Sequence, residues 1–182
     1  KDVQATYLLN CQLKANGKLL VEGRKGVIIG GKTCAKLGVS CNGIGNIAEI
    51  ATVVSVGIDK EDMTAYQELQ KKIEQTQAEL QTCENGLNKL MANPVHDEKV
   101  SMMIQRLTRA VYTLKSSRKE LFSERNAQME QMTKQKEARI QVSGRAYPGT
   151  LLFLNEDPFA IKEIYNNVEF VKHDNRIDTL AH

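Results

Sequence analysis

Residues 8–41 read LLNCQLKANGKLLVEGRKGVIIGGKTCAKLGVSC, and they give the clearest indication of the architecture. Short apolar runs rich in β-branched residues alternate with glycines, which favours strands separated by turns over helices. A period of roughly 20 residues relates the runs, as one coil of a parallel β-helix requires when each coil buries its inward side chains on its neighbours. The pattern predicts such coils over residues 1–58. The residues that recur one period apart are Leu8 and Ile28, Leu9 and Ile29, Ala15 and Ala35, Leu19 and Val39, and Val21 and Cys41.

Residues 59–138 have a different composition, with one glycine, Gly86, and one proline, Pro94. Apolar side chains follow a 3-4 spacing that keeps one face of a helix towards a partner helix, which predicts a coiled-coil seam. Ala92-Asn93-Pro94 interrupts this pattern, and Asp97 is in position to cap a second helix. The predicted seam residues are Tyr66, Leu69, Ile73, Leu80, Leu87 and Leu90 on the first helix, and Leu107, Val111, Leu114 and Leu121 on the second.

The connection between the two helices is short, which favours an antiparallel hairpin within one chain over pairing with a second chain. Strand-like patterns return after residue 138, first in Ile140–Val142 and then in Leu151–Leu154. We therefore predict that the hairpin at 59–138 is an insertion into the solenoid, which residues 139–182 complete or cap. We expect residues 155–158 to end the strand at Leu151–Leu154, and Val168–Val171 to form one last edge strand or cap.

The composition argues against a deep active site lined by aromatic residues, because aromatics make up 5% of the 182 residues and tryptophan is absent. The net charge is +3, and basic residues outnumber acidic ones in the first segment. This bias either favours an acidic partner or marks the solvated corners of a repeat protein. The basic residues concerned are Lys1, Lys14, Lys18, Arg24, Lys25, Lys32 and Lys36.

The four cysteines have no spacing typical of metal ligands, and we interpret them as buried small hydrophobes of a reducing compartment. They are Cys11, Cys34, Cys41 and Cys83. No stretch approaches the ~18 continuous apolar residues of a membrane span, so we predict no membrane insertion. Basic clusters at 115–119 and 134–136 are diluted by nearby glutamates and have few aromatic residues available for stacking, so we predict no nucleic-acid binding.

Residues 26–33 match the consensus sequence of a phosphate-binding loop, with Gly26, Gly31, Lys32 and Thr33 at the required positions. The residues between the glycines are an apolar, strand-like run, and no helical pattern follows, so the spelling is interpreted as a false match. The three histidines are scattered and expected to be exposed. We therefore predict no metal, no cofactor and no enzymatic activity. The histidines are His96, His173 and His182.

The combined landmarks resemble the C-terminal portion of the flagellar assembly protein A family, and their order around the helical insertion covers most of the chain. The blocks that carry the resemblance are, in chain order, residues 23–31, Ala35, Ile44-Gly45, Val54–Gly57, Ile140–Val142 and Tyr147-Pro148-Gly149. The family-like motif residues within them are Gly26, Gly30, Gly31, Tyr147, Pro148 and Gly149.

The resemblance implies a mixed β and α fold, in which a right-handed parallel β-helix (a solenoid) is interrupted by a long antiparallel coiled-coil helical hairpin. It also implies a cytoplasmic location, a part in flagellar assembly or its regulation, and no catalytic residues. Family members are longer, so the chain is expected to be a fragment. We therefore expect a non-enzymatic scaffold or adaptor that binds another protein. The alternative is a self-polymerising cytoskeletal module similar to bactofilins, which would act as a homo-oligomer.

Overall fold

The structure is a computed structural model that describes residues 1–92, 97–174 and 176–181. The contacts of the chain divide it into two units, a β unit (1–62 and 131–182) and a helical unit (63–130). The expected mixture of β and α structure is confirmed. The elements are β1 (Val3–Ala5), β2 (Leu8–Ala15), β3 (Leu19–Val21), β4 (Val27–Ala35), β5 (Val39–Ile44), β6 (Thr52–Val56), α1 (Lys60–Met91), α2 (Glu98–Lys136), β7 (Ile140–Ala146), β8 (Thr150–Leu154), β9 (Asp157–Ala160), β10 (Tyr165–His173) and β11 (Arg176–Ala181).

The strands of the first segment pair in parallel. β2 lies beside β4 with Leu8 opposite Ile28, and β3 lies beside β5 with Leu19 opposite Val39. These are pairs that the sequence period superposes, so the predicted offset of the repeat is confirmed. Burial fixes this register, because a slip by one residue would turn every inward side chain of a strand outwards.

Parallel pairing continues with the strands that follow the two helices in the chain. β5 pairs with β7 and places Val39 opposite Ile140, while β6 pairs with β8 and places Val54 opposite Leu152. Parallel neighbours cannot be joined by a tight hairpin and need a crossover connection. Between the parallel neighbours β5 and β7, that connection contains β6 and both long helices.

The core of the β unit consists of inward side chains that stack from one strand to the next. Along β6 and β8, buried and half-buried residues alternate, as expected for strands with one face in the core. The stacked residues are apolar and buried. They form one column of Leu8, Ile28, Ile44 and Ala146, a second of Leu19, Val39, Ile140 and Phe170, and a third of Ala15, Ala35, Val56 and Leu154.

The C-terminal strands pair in the antiparallel sense, and they correct one expectation. β8 ends at Leu154, so the predicted end of this strand is confirmed, and a hairpin turn at 155–156 leads into β9, which lies beside β8. β10 lies between β7 and β11, so Val168–Val171 is not an edge strand. Among the described strands, β11 forms that end of the sheet instead.

The hairpin between β8 and β9 and the late strand β11 have local physical causes. Asn155 and Glu156 have φ angles of 49° and 71°, which is the left-handed conformation that a two-residue hairpin turn requires. Pro158 is tolerated because, among the described strands, β9 pairs only with β8, and its other edge needs no N–H donor. β11 gives no clear sequence signal because five of its six residues are exposed and the apolar alternation of a half-buried strand is missing.

Aromatic side chains are concentrated where β9 and β10 cover the coils. Phe170 is fully buried, and its ring centroid lies 5.5 Å from that of Phe159 and 5.7 Å from that of Tyr165. Tilted and edge-on arrangements at such distances are the favoured geometries of aromatic pairs. Because Phe170 stands opposite Ile140, this cluster closes one of the apolar columns of the core.

Each helix begins at an aspartate cap. Asp59 Oδ1 accepts a hydrogen bond of 2.9 Å from the N–H of Asp62, and Asp97 Oδ1 accepts one of 2.8 Å from the N–H of Val100. Such caps satisfy backbone donors that have no partner within the helix. The capping role predicted for Asp97 is confirmed, whereas Pro94 and the rest of 93–96 lie outside the described residues.

Two glycine-to-alanine substitutions are expected to change stability in opposite directions. At Gly31, with a φ of +76°, an added Cβ would lie 2.2 Å from the carbonyl oxygen of Cys11, so Gly31→Ala should lower the free energy of unfolding by about 1–3 kcal/mol. At Gly86, inside α1, the nearest atom to an added Cβ is Leu107 Cδ1 at 3.6 Å, so Gly86→Ala should raise stability by about 0.5–1 kcal/mol. Urea unfolding of both variants measures the two changes. A Gly31→Ala variant as stable as the parent would contradict the close stacking of β2 on β4.

Candidate functional site

The family-like glycines lie where the chain turns or bends. Gly26 precedes β4, Gly30 and Gly31 lie inside β4, and Gly149 precedes β8. All four have positive φ angles, which glycine adopts without strain. These motif residues therefore shape the coils and do not present side chains for chemistry.

Thr52 connects two of the motif blocks. Its hydroxyl oxygen accepts a hydrogen bond of 2.8 Å from the N–H of Gly30, and its own N–H donates to the carbonyl oxygen of Gly149 at 3.3 Å. Tyr147 and Pro148, which precede Gly149, are half-buried. The structure thus brings the Gly30 block and the Tyr147-Pro148-Gly149 block together at one corner of the β unit.

The phosphate-loop spelling lies in a strand. Residues 27–35 form β4, and the next element is the strand β5. Thr33, whose hydroxyl would have to reach a metal ion in such a loop, is only 1% exposed. The segment therefore lacks the strand–loop–helix arrangement in which backbone N–H groups and a helix N-terminus face a phosphate.

Cys41 is buried, as predicted for a cysteine that acts as a small hydrophobe. Burial raises the pKa of its thiol to about 12, so the thiol stays protonated at neutral pH and is a poor nucleophile. Cys11, Cys34 and Cys83 are half-buried. The predicted burial of the cysteines is therefore complete at Cys41 and partial at the other three positions.

The described ranges contain no group of three or more His, Cys, Asp or Glu side chains that could hold a metal ion. His173 is exposed at the end of β10, whereas His96 and His182 lie outside the described residues. A search of the described helices finds no stretch that is both long and apolar enough to cross a membrane.

A cluster of opposite charges holds the first turn of α1 to the ends of β2 and β4. Lys36 follows β4, and its Nζ lies 2.5 Å from Asp62 Oδ1 and 3.8 Å from Asp59 Oδ2. Lys14 lies near the end of β2, and its Nζ lies 3.3 Å from Asp59 Oδ2 and 2.5 Å from Glu61 Oε2. All five residues belong to the β unit.

Lys36 contradicts the idea that the lysines of the first segment are solvated corners. The residue is 8% exposed, and a buried ammonium group needs a charged or hydrogen-bonding partner. Asp62 provides that partner from 26 positions further along the chain. The three acidic residues within 59–62 are visible in the sequence. Because Lys36 lies 26 positions before Asp62, the sequence alone does not show which lysine pairs with them.

The charges of this cluster act on the pKa values of its members. Partial burial opposes the charged form of Asp59, but the N–H of Asp62 and the ammonium groups of Lys36 and Lys14 together outweigh burial and lower the pKa of Asp59. The hydrogen bond to Glu61 raises the pKa of Lys14 in spite of the opposing effect of burial. Both shifts favour the ionised forms, so the start of α1 is an ionic anchor.

Asn155 links the segments that border the two helices in the chain. Its side-chain Oδ1 accepts a hydrogen bond of 2.9 Å from the N–H of Ile58, and its Nδ2 donates to the carbonyl oxygen of Lys136 at 3.2 Å. Ile58 lies just before α1, and Lys136 is the last residue of α2. At Gly57 an added Cβ would lie 2.0 Å from Asn155 Oδ1, so a glycine is needed where the amide packs.

A groove of about 800 Å³ lies on the face of β4, β6 and β8 that is turned away from the core. Its wall includes the half-buried apolar residues Val53, Leu151 and Phe153, with Lys32 among its charged neighbours. The groove offers an apolar contact surface.

The ten predicted seam residues are all buried or half-buried. Leu69, Ile73 and Leu80 are at most 6% exposed, and the other seven are half-buried. The two helices of the helical unit contact each other, with Lys115 Nζ 2.8 Å from Glu84 Oε1. Direct pairing of the seam residues with one another stays a prediction.

The helical unit also exposes large apolar side chains that the heptad pattern does not explain. Met91 is 62% exposed at the end of α1, while Met102, Met103 and Tyr112 on α2 are 50%, 56% and 78% exposed. The heptad spacing does not identify these residues because it describes the buried face of each helix. The sequence indicates them only as Met and Tyr side chains at helix positions outside the predicted seam.

Neutralising Asp59 should weaken the β unit in a pH-dependent way. Asp59→Asn keeps an oxygen for the cap but removes the charge, so at pH 7 it should lower the free energy of unfolding by up to about 1 kcal/mol. Because folding lowers the pKa of Asp59, this contribution is complete above the ordinary aspartate pKa of about 3.9 and disappears as the pH falls through the lower folded-state value. Urea unfolding between pH 7 and about pH 2.5 compares the variant with the parent. Asp178→Asn on the exposed strand β11 is the control, and a difference that is independent of pH would contradict the ionic anchor.

No curated protein and no solved structure matches the chain. The family model of the Flagellar Assembly Protein A β-solenoid domain matches residues 1–177. The match spans both units and all six family-like motif residues, and it confirms the resemblance found in the sequence. The chain therefore belongs to the flagellar assembly protein A β-solenoid domain family.

Proposed function

We propose that the chain is a non-enzymatic scaffold of a cytoplasmic bacterial protein that acts in flagellar assembly or its regulation through protein–protein contacts. Membership of the family supports the flagellar part of the proposal. The observation that carries the scaffold role is the exposed apolar surface of the helical unit. Among the described residues, six of the twelve exposed large hydrophobic side chains belong to residues 63–130. Contiguous apolar patches on a surface mark sites of contact with other molecules, and Met102 and Met103 are adjacent members of this set.

The architecture we propose is a right-handed parallel β-helix with an antiparallel coiled-coil hairpin inserted at 59–138, between coils at 1–58 and closing strands at 139–182. The parallel registers on both sides of the insertion support the β-helix. The contacts between the helices support the antiparallel hairpin. Glu84 of α1 meets Lys115 of α2, and the later Gly86 meets the earlier Leu107. Residues later in α1 therefore lie beside residues earlier in α2, as an antiparallel pair requires.

A non-enzymatic role agrees with the use that the β unit makes of its polar residues. The motif glycines form turns, and the Thr33 hydroxyl and the Cys41 thiol are buried in the stack of strands. Lys14 and Lys36 are engaged in ion pairs with the first turn of α1. Of these groups, Lys14 borders the groove beside β4, β6 and β8, where its charge is paired with Asp59 and Glu61, while Thr33, Lys36 and Cys41 do not line it.

The self-polymerising alternative has less support from the sheet. End-to-end growth of a solenoid needs an open strand edge at both ends. At the C-terminal side of the coils, β8 is covered by β9 and β7 is covered by β10, both in the antiparallel sense. Another parallel coil could not add to β7 or β8 without displacing these strands.

Site-specific photo-crosslinking tests the adaptor role in the full protein, expressed in its flagellated host. The crosslinking residue p-benzoylphenylalanine replaces Tyr112, which is 78% exposed on α2. We expect illumination to join this position to a flagellar assembly protein, which mass spectrometry identifies. The matched control places the same residue at Tyr7 of the β unit, which is 53% exposed.

Crosslinks from position 7 alone would assign partner binding to the β unit and would contradict the adaptor role of the helices. If position 112 crosslinks only to further copies of the chain, the result would contradict the scaffold role and support the self-polymerising alternative.

A further inference from the structure

The first half of α2 has a one-sided charge pattern. Residues 99–119 contain six lysines and arginines and no aspartate or glutamate, whereas acidic residues occur on both sides of this stretch. The cations are Lys99, Arg106, Arg109, Lys115, Arg118 and Lys119. Lys115 is paired with Glu84 of α1, and Arg118 is half-buried. The positive charge of the stretch therefore exceeds what the contact between the helices uses.

Five exposed residues of this stretch share the face of α2 opposite its seam. Their spacing of three or four residues places them along one side of a helix, while Leu107, Val111 and Leu114 of the seam are half-buried on the other. We call this surface the α2 outer face, and its residues are Lys99, Met102, Arg106, Arg109 and Tyr112.

The α2 outer face combines unpaired cations with exposed apolar groups. Within the described part of the chain, no ion pair involves Lys99, Arg106 or Arg109. Met102 and Tyr112 lie between them in sequence and are 50% and 78% exposed. Methionine adapts its shape to varied apolar partners, and tyrosine adds a large contact area at low entropic cost.

We propose that the α2 outer face binds an acidic amphipathic helix of the partner protein, and this inference rests on the adaptor role proposed above. Apolar side chains of the partner would pack on Met102 and Tyr112, while its carboxylates would pair with Arg106 and Arg109. Arginine suits this task because its planar guanidinium group binds a carboxylate through two hydrogen bonds. The outer face accommodates a helix because its residues repeat at helical spacing along one line.

Charge decides between this occupant and a second copy of the chain. Two α2 outer faces brought together would oppose like charges, and such juxtaposition disfavours association. A nucleic acid or an anionic membrane would also meet the cations. A phosphate backbone offers no apolar groups to Met102 and Tyr112, and binding to a membrane surface requires a broader apolar face than these two side chains provide.

Fluorescence anisotropy on the full chain tests the proposal with a defined probe. The probe is a fluorescein-labelled synthetic peptide of about 18 residues, with leucines at i, i+3 and i+4 spacing and glutamates elsewhere. Three comparison ligands carry negative charge without this pattern: polyglutamate of equal length, a single-stranded oligothymidine, and vesicles containing phosphatidylserine. We expect the amphipathic peptide to bind at least tenfold more tightly than polyglutamate, and more tightly than the other two.

Variants locate the binding site. The double variant Arg106→Glu/Arg109→Glu should weaken binding of the peptide at least tenfold, and Met102→Ala/Tyr112→Ala should weaken it severalfold. The matched control is Lys71→Glu/Lys72→Glu, which makes the same change of charge at two exposed residues of α1 and should leave the affinity within twofold of the parent. Circular dichroism checks that all variants keep their helix content.

The proposal is overturned if the peptide does not bind, if polyglutamate, oligothymidine or vesicles bind as tightly, or if the α1 control weakens binding as much as the α2 variant. These outcomes are separable from those of the crosslinking experiment. If position 112 captures a flagellar partner but the peptide does not bind, the adaptor role stands and the acidic amphipathic helix is rejected as its ligand. Failure of both would reject the two together.

Discussion

The β unit depends on one constraint, which is that every coil must cover the inward apolar side chains of the coil before it. The column of Leu19, Val39, Ile140 and Phe170 shows how this works, because each member stands opposite the next in the strand register. Since the side chains of a strand alternate between its two faces, the register of one pair fixes which residues of the next strand face inwards. The same constraint explains the cap, where Phe170 joins Phe159 and Tyr165 and ends the column with aromatic rings.

The helices interrupt the chain between β6 and β7 without interrupting this register. Two polar contacts act where the interruption begins and ends. The aspartates of the first turn of α1 hold Lys36 beside the end of β4, and Asn155 bonds to the backbone on both sides of the helices. Loop-closure entropy grows only slowly with length, so a long connection between strands is tolerated when its ends are fixed in this way.

The sequence predicts the parts of this structure whose signals are periodic. The offset between Leu8 and Ile28 follows from a repeat, and the low exposure of Leu69 and Ile73 follows from heptad spacing. The antiparallel pairing of β9, β10 and β11 is not predicted because the partners of these strands are set by the coils already formed, and β11 carries few buried side chains. Lys36 is not predicted because its burial depends on a carboxylate 26 positions away, and a lysine of a solvated turn looks the same in the sequence.

The different use of charge in the two units supports our proposal that the contact surface lies on the helices. In the β unit, Lys14 and Lys36 neutralise the acidic start of α1, so their charges already stabilise the fold and a partner would have to compete with Asp59 and Asp62 for them. On α2, Arg106 and Arg109 hold no such partner among the described residues, and removing them would leave no buried charge behind. Cations that the fold does not require, placed beside exposed methionine and tyrosine, are available for binding at little cost in stability.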